Sequence, residues 1–197
     1  MGGTSPSNSD VIDFVEIATT GDAVDFGDLS TAKPTRATTG SAVRGIYAGG
    51  GDPSFLNVIE YVHFAAKGDM ADFGDLSGNR TSGNIGQMAN NTRGVFAGGR
   101  EPGITDKIEY ITIATTGDVT DFGDLVDAAY DIATTSDGHG GLEAYDPRLI
   151  PVGSRRGLFC GGATPTANGV ITYINISTTG NSVTFGNLQG GAAADRN

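Results

Sequence analysis

Arg93-Gly94-Val95-Phe96-Ala97-Gly98-Gly99 opens a pattern that continues through Lys107-Ile108-Glu109-Tyr110-Ile111-Thr112-Ile113, Thr115-Thr116-Gly117-Asp118 and Asp121-Phe122-Gly123-Asp124-Leu125. Each string recurs. Phe-Gly-Asp-Leu begins at Phe26, Phe73 and Phe122, and Phe-Gly-Asn-Leu at Phe185, at spacings of 47, 49 and 63 residues. Arg-Gly-apolar-aromatic-X-Gly-Gly begins at Arg44, Arg93 and Arg156, in step with it. Between them lie Val11–Ile17, Val58–Phe64, Lys107–Ile113 and Val170–Ile176. Self-similarity at a period of about 49 residues marks a repeat architecture.

The Ile-Glu-Tyr segment is rich in β-branched and aromatic residues and bounded by turn formers, so it reads as a strand of about seven residues. Apolar residues on both of its faces suit a sheet stacked between other sheets. Thr-Thr-Gly-Asp is a tight turn, with Gly21, Gly68, Gly117 and Gly180 supplying backbone freedom. No amphipathic helix of useful length is present. Three or four strands per unit, one of them ended by a glycine pair, is the pattern of a β-propeller blade.

At these residues the chain resembles the kelch repeat. The kelch features would be the pairs Gly49-Gly50, Gly98-Gly99 and Gly161-Gly162, then Tyr61, Tyr110 and Tyr173, then Phe73, Phe122 and Phe185. The chain departs from kelch in having Phe where Trp is usual, and in its polar first strands. The fuller wording, from Arg-Gly-Val-Phe-Ala-Gly-Gly to Asp-Phe-Gly-Asp-Leu, looks like repeats in virion structural and tail-fibre-like proteins of tailed phages, particularly aquatic ones. The resemblance implies an all-β, kelch-like propeller of about four repeats, one incomplete, either partial or completed by another chain. The units are expected at 1–30, 31–77, 78–126 and 127–197, in one domain. The resemblance also implies a structural component of a virion, in its tail or a capsid appendage. Its partners would be other virion proteins, further copies of itself, or a host-surface glycan. Alternative readings are a carbohydrate- or host-receptor-binding propeller module and an intracellular kelch-type adaptor. A propeller enzyme ranks last.

Composition bounds the rest. Of 197 residues, 32 are Gly and none is Trp, and 23 acidic residues against 12 basic ones give a net charge of −11. Such a surface repels phosphate backbones and anionic membranes, so no nucleic-acid or membrane partner is expected. No stretch approaches the ~18 apolar residues of a membrane helix. The N-terminus lacks the basic and apolar segments of a secretory signal. A single cysteine cannot form an internal disulfide.

Catalytic motifs are not expected. Asp-Phe-Gly matches a kinase metal motif, but no nucleotide loop or catalytic loop accompanies it. No Gly-X-Ser-X-Gly elbow, P-loop, zinc spacing or Cys/His pair occurs. The triplets Asp22/Asp25/Asp28, Asp69/Asp72/Asp75 and Asp118/Asp121/Asp124 become Asn181/Thr184/Asn187 in the fourth unit. Asp and Asn both cap turns, so capping is the expectation and calcium binding the alternative. Otherwise no cofactor is expected. Arg44, Arg93 and Arg156 are expected to pair with a repeat carboxylate. His63 aligns with Glu16, Thr112 and Asn175, which marks a solvent-facing position. Cys160 stands where Ala48 and Ala97 stand, as a small buried residue. An insertion within 126–155 carries Asp137, His139 and Tyr145 and is the candidate interaction loop. Phe26, Phe73, Phe122 and Phe185 are expected to be buried between sheets.

Four second halves of a unit stand against three first halves, and Met1-Gly2-Gly3 reads as the end of a second strand. An unpaired edge is therefore expected beside residues 11–17. It would be covered by 189–197, by a second copy or by another virion protein.

Overall fold

The computed structural model describes residues 1–4, 6–33, 37–51, 54–80, 85–101, 103–136, 156–164 and 166–189. The insertion residues Asp137, His139 and Tyr145 lie outside them, as do 190–197. The chain is all-β, with 53% strand and no helix among the described residues.

The strands follow one plan. β1 (Gly3–Thr4) and β2 (Asn8–Ser9) form a short hairpin, and β3 (Val11–Phe14) pairs with β4 (Val24–Asp28) as the first sheet. β5 (Thr38–Gly40), β6 (Arg44–Ala48), β7 (Leu56–His63) and β8 (Ala71–Arg80) form the second. The third contains β9 (Gly86–Ala89) and β10 (Arg93–Ala97), then, after the hairpin β11 (Arg100–Glu101) and β12 (Gly103–Ile104), β13 (Lys107–Thr112) and β14 (Thr120–Asp124). The fourth contains β15 (Ala133–Ser136) and β16 (Arg156–Cys160), then, after the hairpin β17 (Ala163–Thr164) and β18 (Thr166–Ala167), β19 (Val170–Asn175) and β20 (Val183–Asn187). Every pairing is antiparallel, and each four-stranded sheet is a simple meander. The third strand, expected to be about seven residues long, ranges from four residues in β3 to eight in β7.

Two glycine positions are dictated by geometry. The pairs Gly49-Gly50, Gly98-Gly99 and Gly161-Gly162 all have positive φ, from 64° to 113°, which side chains with a Cβ rarely adopt. They end the second strand, and the amide of each first glycine donates to the third strand: Gly49 to Val58 O, Gly98 to Lys107 O, Gly161 to Val170 O. Gly2 repeats this, donating to Val11 O at 2.9 Å with φ of 52°. The first sheet thus consists of third and fourth strands, with Gly2-Gly3 in the place of the glycine pair.

The other position lies in Phe-Gly-Asp. The third and fourth strands lose register there in all four sheets. Ile108 faces Gly123 and Glu109 faces Asp121, leaving Phe122 as the extra residue of a β-bulge. The same shift isolates Phe26, Phe73 and Phe185. A bulge re-aims its side chain, and here it turns three of the phenylalanines into the space between consecutive sheets.

Three clusters form the core, one per junction. Ile12, Phe26 and Leu29 of the first sheet meet Tyr47, Val62 and Met70 of the second. Ile46, Ile59 and Phe73 meet Phe96, Ile111 and Ile113. Val95, Ile108 and Phe122 meet Phe159, Ile174 and Ile176. The stack does not close: Ile17 at one end is 97% exposed and Phe185 at the other 58%.

Candidate functional site

The repeated residues assemble the junction between one sheet and the next, which occurs three times, with the repeat arginine at two of them. On the leading sheet, the bulged Phe lies edge-on to the aromatic ring of the third strand. The pairs are Phe14–Phe26, Tyr61–Phe73 and Tyr110–Phe122, with centroids 5.8–6.0 Å apart. Edge-to-face packing is the favoured geometry for such rings. The repeat arginine covers the tyrosine, with Arg44 4.7 Å from the Tyr61 centroid and Arg93 4.3 Å from that of Tyr110.

The arginines then reach across. Arg44 Nη1 donates to Ile113 O at 2.7 Å, and Arg93 Nη1 to Ile176 O at 3.0 Å. The expected carboxylate partner is therefore corrected to a backbone carbonyl at the end of the next sheet's third strand. The third strand ends there and enters its turn, so its carbonyls have no ladder partner. The first sheet carries no such arginine. Lys67 from the second sheet lies over Phe14 instead, at 4.8 Å.

Backbone bonds complete the junction. Gly68 N donates to Phe26 O and Met70 N to Asp28 O. Gly117 and Val119 repeat this on Phe73 and Asp75, and Gly180 and Ser182 on Phe122 and Asp124, all at 2.7–3.0 Å. Asp69, Asp118 and Asn181 each return the contact by accepting from the backbone N of Asp28, Asp75 and Asp124 at 3.0–3.1 Å. The capping expected of these residues is thus capping of the preceding sheet's strand rather than of their own turn. Asn serves as well as Asp because the bond needs only an acceptor oxygen. No cluster of three or more His, Cys, Asp or Glu suited to a metal occurs among the described residues. Crowding of acids has one consequence: partial desolvation, then Asp10, Asp69 and Asp25, push the Asp28 carboxyl above the ordinary aspartate range. A Cβ on Gly27, Gly74 or Gly123 would overlap the backbone of Gly68, Gly117 or Gly180, so the strands approach this closely only through glycine.

Sequence reasoning missed two buried ion pairs. Lys33 Nζ meets Glu60 and Arg80 Nη2 meets Glu109, both at 2.8 Å, with all four side chains under 5% exposed. Lys33 and Arg80 are equivalent, since their carbonyls receive Gly3 N and Gly50 N. The matching acceptor for Gly99 is Ala129, and Thr172 stands in the glutamate's place. Both charges are absent together in the fourth unit, which leaves no lone buried ion. A glutamate centred in an apolar strand was the available signal.

The fourth sheet departs from the others at four residues, two of which, Phe185 and Cys160, were expected to be buried. Phe185 is exposed, whereas Phe26, Phe73 and Phe122 are at most 9% exposed. Leu188 is 40% exposed, against 3–7% for Leu29, Leu76 and Leu125. Cys160 is half-buried where Ala48 and Ala97 are fully buried, and that burial pushes its thiol pKa up. Arg156 is exposed while Arg44 and Arg93 are half-buried. The shared reason is that, among the described residues, no fifth sheet lies on this face. His63 is exposed as expected. The cleft lined by Leu125, Ala129, Ile132, Phe159 and Thr172 holds about 20 Å³, roughly one water.

Neither the protein-family models nor the curated proteins contain a match to this chain.

Proposed function

We propose that the chain is a non-enzymatic structural component of a phage virion, in the tail or a capsid appendage, built as a kelch-like partial propeller that acts as a protein-interaction scaffold. The observation that carries the scaffold reading is the junction itself. At the junctions repeated residues join sheets: Arg44 and Arg93 on carbonyls, Asp69, Asp118 and Asn181 on backbone amides, and Gly27, Gly74 and Gly123 by close approach. Residues repeated around a stack in this way serve assembly, because a catalytic group acts at one place.

The kelch-like assignment is supported by four-stranded meanders with a glycine pair after the second strand and an aromatic residue in each of the last two. The viral assignment rests on the resemblance of the repeated strings to those of tailed-phage proteins. Mass spectrometry of purified particles from cells expressing the chain tests it. Peptides of the chain at a fixed ratio to tail or capsid proteins are the expected result. Its consistent absence from particles, with full recovery in the particle-free fraction, would overturn the viral reading.

A further inference from the structure

The two uncovered ends of the stack are the two halves of a fourth junction. On the fourth sheet, Phe185 lies edge-on to Tyr173 at 6.2 Å, and Arg156 covers that tyrosine at 4.8 Å. This is the arrangement of the leading face at the complete junctions, yet among the described residues nothing lies beyond it. The first sheet presents the opposite half. Ile17 stands where Ile113 and Ile176 are buried, and Val15 where Ile111 and Ile174 are buried. Gly21, Asp22 and Ala23 occupy the places of Gly117, Asp118 and Val119.

Backbone conformation marks the same two ends. The six glycines that face each other across complete junctions have φ of 145–156°. Their equivalents at the ends, Gly21 and Gly186, do not have positive φ, and a Cβ on Gly186 would touch nothing within 4 Å where one on Gly27, Gly74 or Gly123 would overlap the facing backbone. Positive φ at these glycines thus goes with a made junction.

We propose that the fourth sheet binds the first sheet of a second copy of this chain, head to tail. Arg156 would donate to Ile17 O of that copy, Gly21 N to Phe185 O, Ala23 N to Asn187 O, and Asp22 would accept from Asn187 N. Each contact has a counterpart within the chain. The occupant is a second copy because every hydrogen-bonding group that an incoming sheet's third and fourth strands supply to the junction is present on the uncovered first sheet, which lacks only the second-strand aromatic seen at Tyr47, Phe96 and Phe159. A contact between unlike faces is heterologous, so it builds a closed ring or an open filament. This inference does not depend on the viral assignment.

Sedimentation of the 197-residue chain over a concentration series tests it. The wild type is expected to form species larger than 20.1 kDa as concentration rises. Ile17→Asp and Phe185→Asp each alter an exposed side chain and remove one face. Each alone is expected to stay monomeric, and an equimolar mixture to form a dimer of twice the chain mass and nothing larger. Gly186→Ala is expected to leave the circular dichroism and melting curve unchanged while abolishing assembly. A wild type that stays monomeric throughout overturns the proposal and gives the face to another protein or to further repeats. An assembly that survives Ile17→Asp but not Phe185→Asp shows a like-with-like contact and overturns it too.

Discussion

Phe122 and Phe185 occupy the same bulge and meet the same kind of tyrosine partner, but only Phe122 is covered by another sheet. Truncating Phe122 to Ala should cost about 3–5 kcal/mol, the usual loss for a buried phenylalanine. The same change at Phe185 should cost the monomer under about 1 kcal/mol, because most of its area is already in water. Urea denaturation of both variants checks this, and equal losses would show that burial at the junction is not what the motif supplies. Asp28 allows a second comparison. Its folded pKa is raised, so just above the ordinary carboxylate pKa the native state holds the proton more tightly than the unfolded chain. Stability should therefore fall as pH rises through that window. Asp28→Asn should make the fall in melting temperature shallower just above about pH 4, where ordinary aspartates lose their proton. An unchanged slope would place the pH dependence elsewhere.

Sheets were legible because their signals are local. The Ile-Glu-Tyr strand and the glycine pair depend on side-chain type over a few residues and appear where the strings predicted, whereas the hydrogen-bonded turn falls earlier than Thr-Thr-Gly-Asp, closing from Thr115 N to Thr112 O. The bulge was not legible, since Phe-Gly-Asp fits a regular strand as well, and only the register with Ile108 and Glu109 shows the extra residue. The acceptor for Arg93 was hidden for another reason: it is the backbone carbonyl of Ile176, and any residue supplies a carbonyl. The Arg80–Glu109 pair was hidden because its members come from different sheets, 29 positions apart in the chain. That pair is testable as an element. Arg80→Met leaves Glu109 buried without its cation and should cost about 3–5 kcal/mol. Adding Glu109→Met should recover most of that loss, as the Ala129/Thr172 combination in the fourth unit implies. Two losses that simply add would mean the charges act independently.

Across the described residues the stack is one-dimensional in its core, since each of the three clusters joins one sheet to the next. Stability is then the sum of sheet and junction contributions, and it need not be uniform along the chain. The third sheet has four strands and a complete junction on both sides. The first has two strands, one junction, no arginine, and an apolar face left in water. Its β3 is also an edge strand, partnered on one side only. Opening the first sheet alone exposes Ile12, Phe26 and Leu29 and leaves the other two clusters intact. Native-state hydrogen exchange should therefore show graded protection. Amides of Val11–Phe14 should exchange at a free energy well below that of global unfolding, and those of Lys107–Thr112 close to it. Gly74→Ala offers a sharper form of the same test, because its Cβ would overlap Gly117 at the junction between the second and third sheets. Strain of this kind costs about 1–3 kcal/mol. It should lower the opening free energy of the first two sheets together, while protection in β19 (Val170–Asn175) changes little. A single common opening free energy from β3 to β19, shifted equally by Gly74→Ala, would mean that the four sheets fold as one cooperative block and that junctions are not separable units of stability.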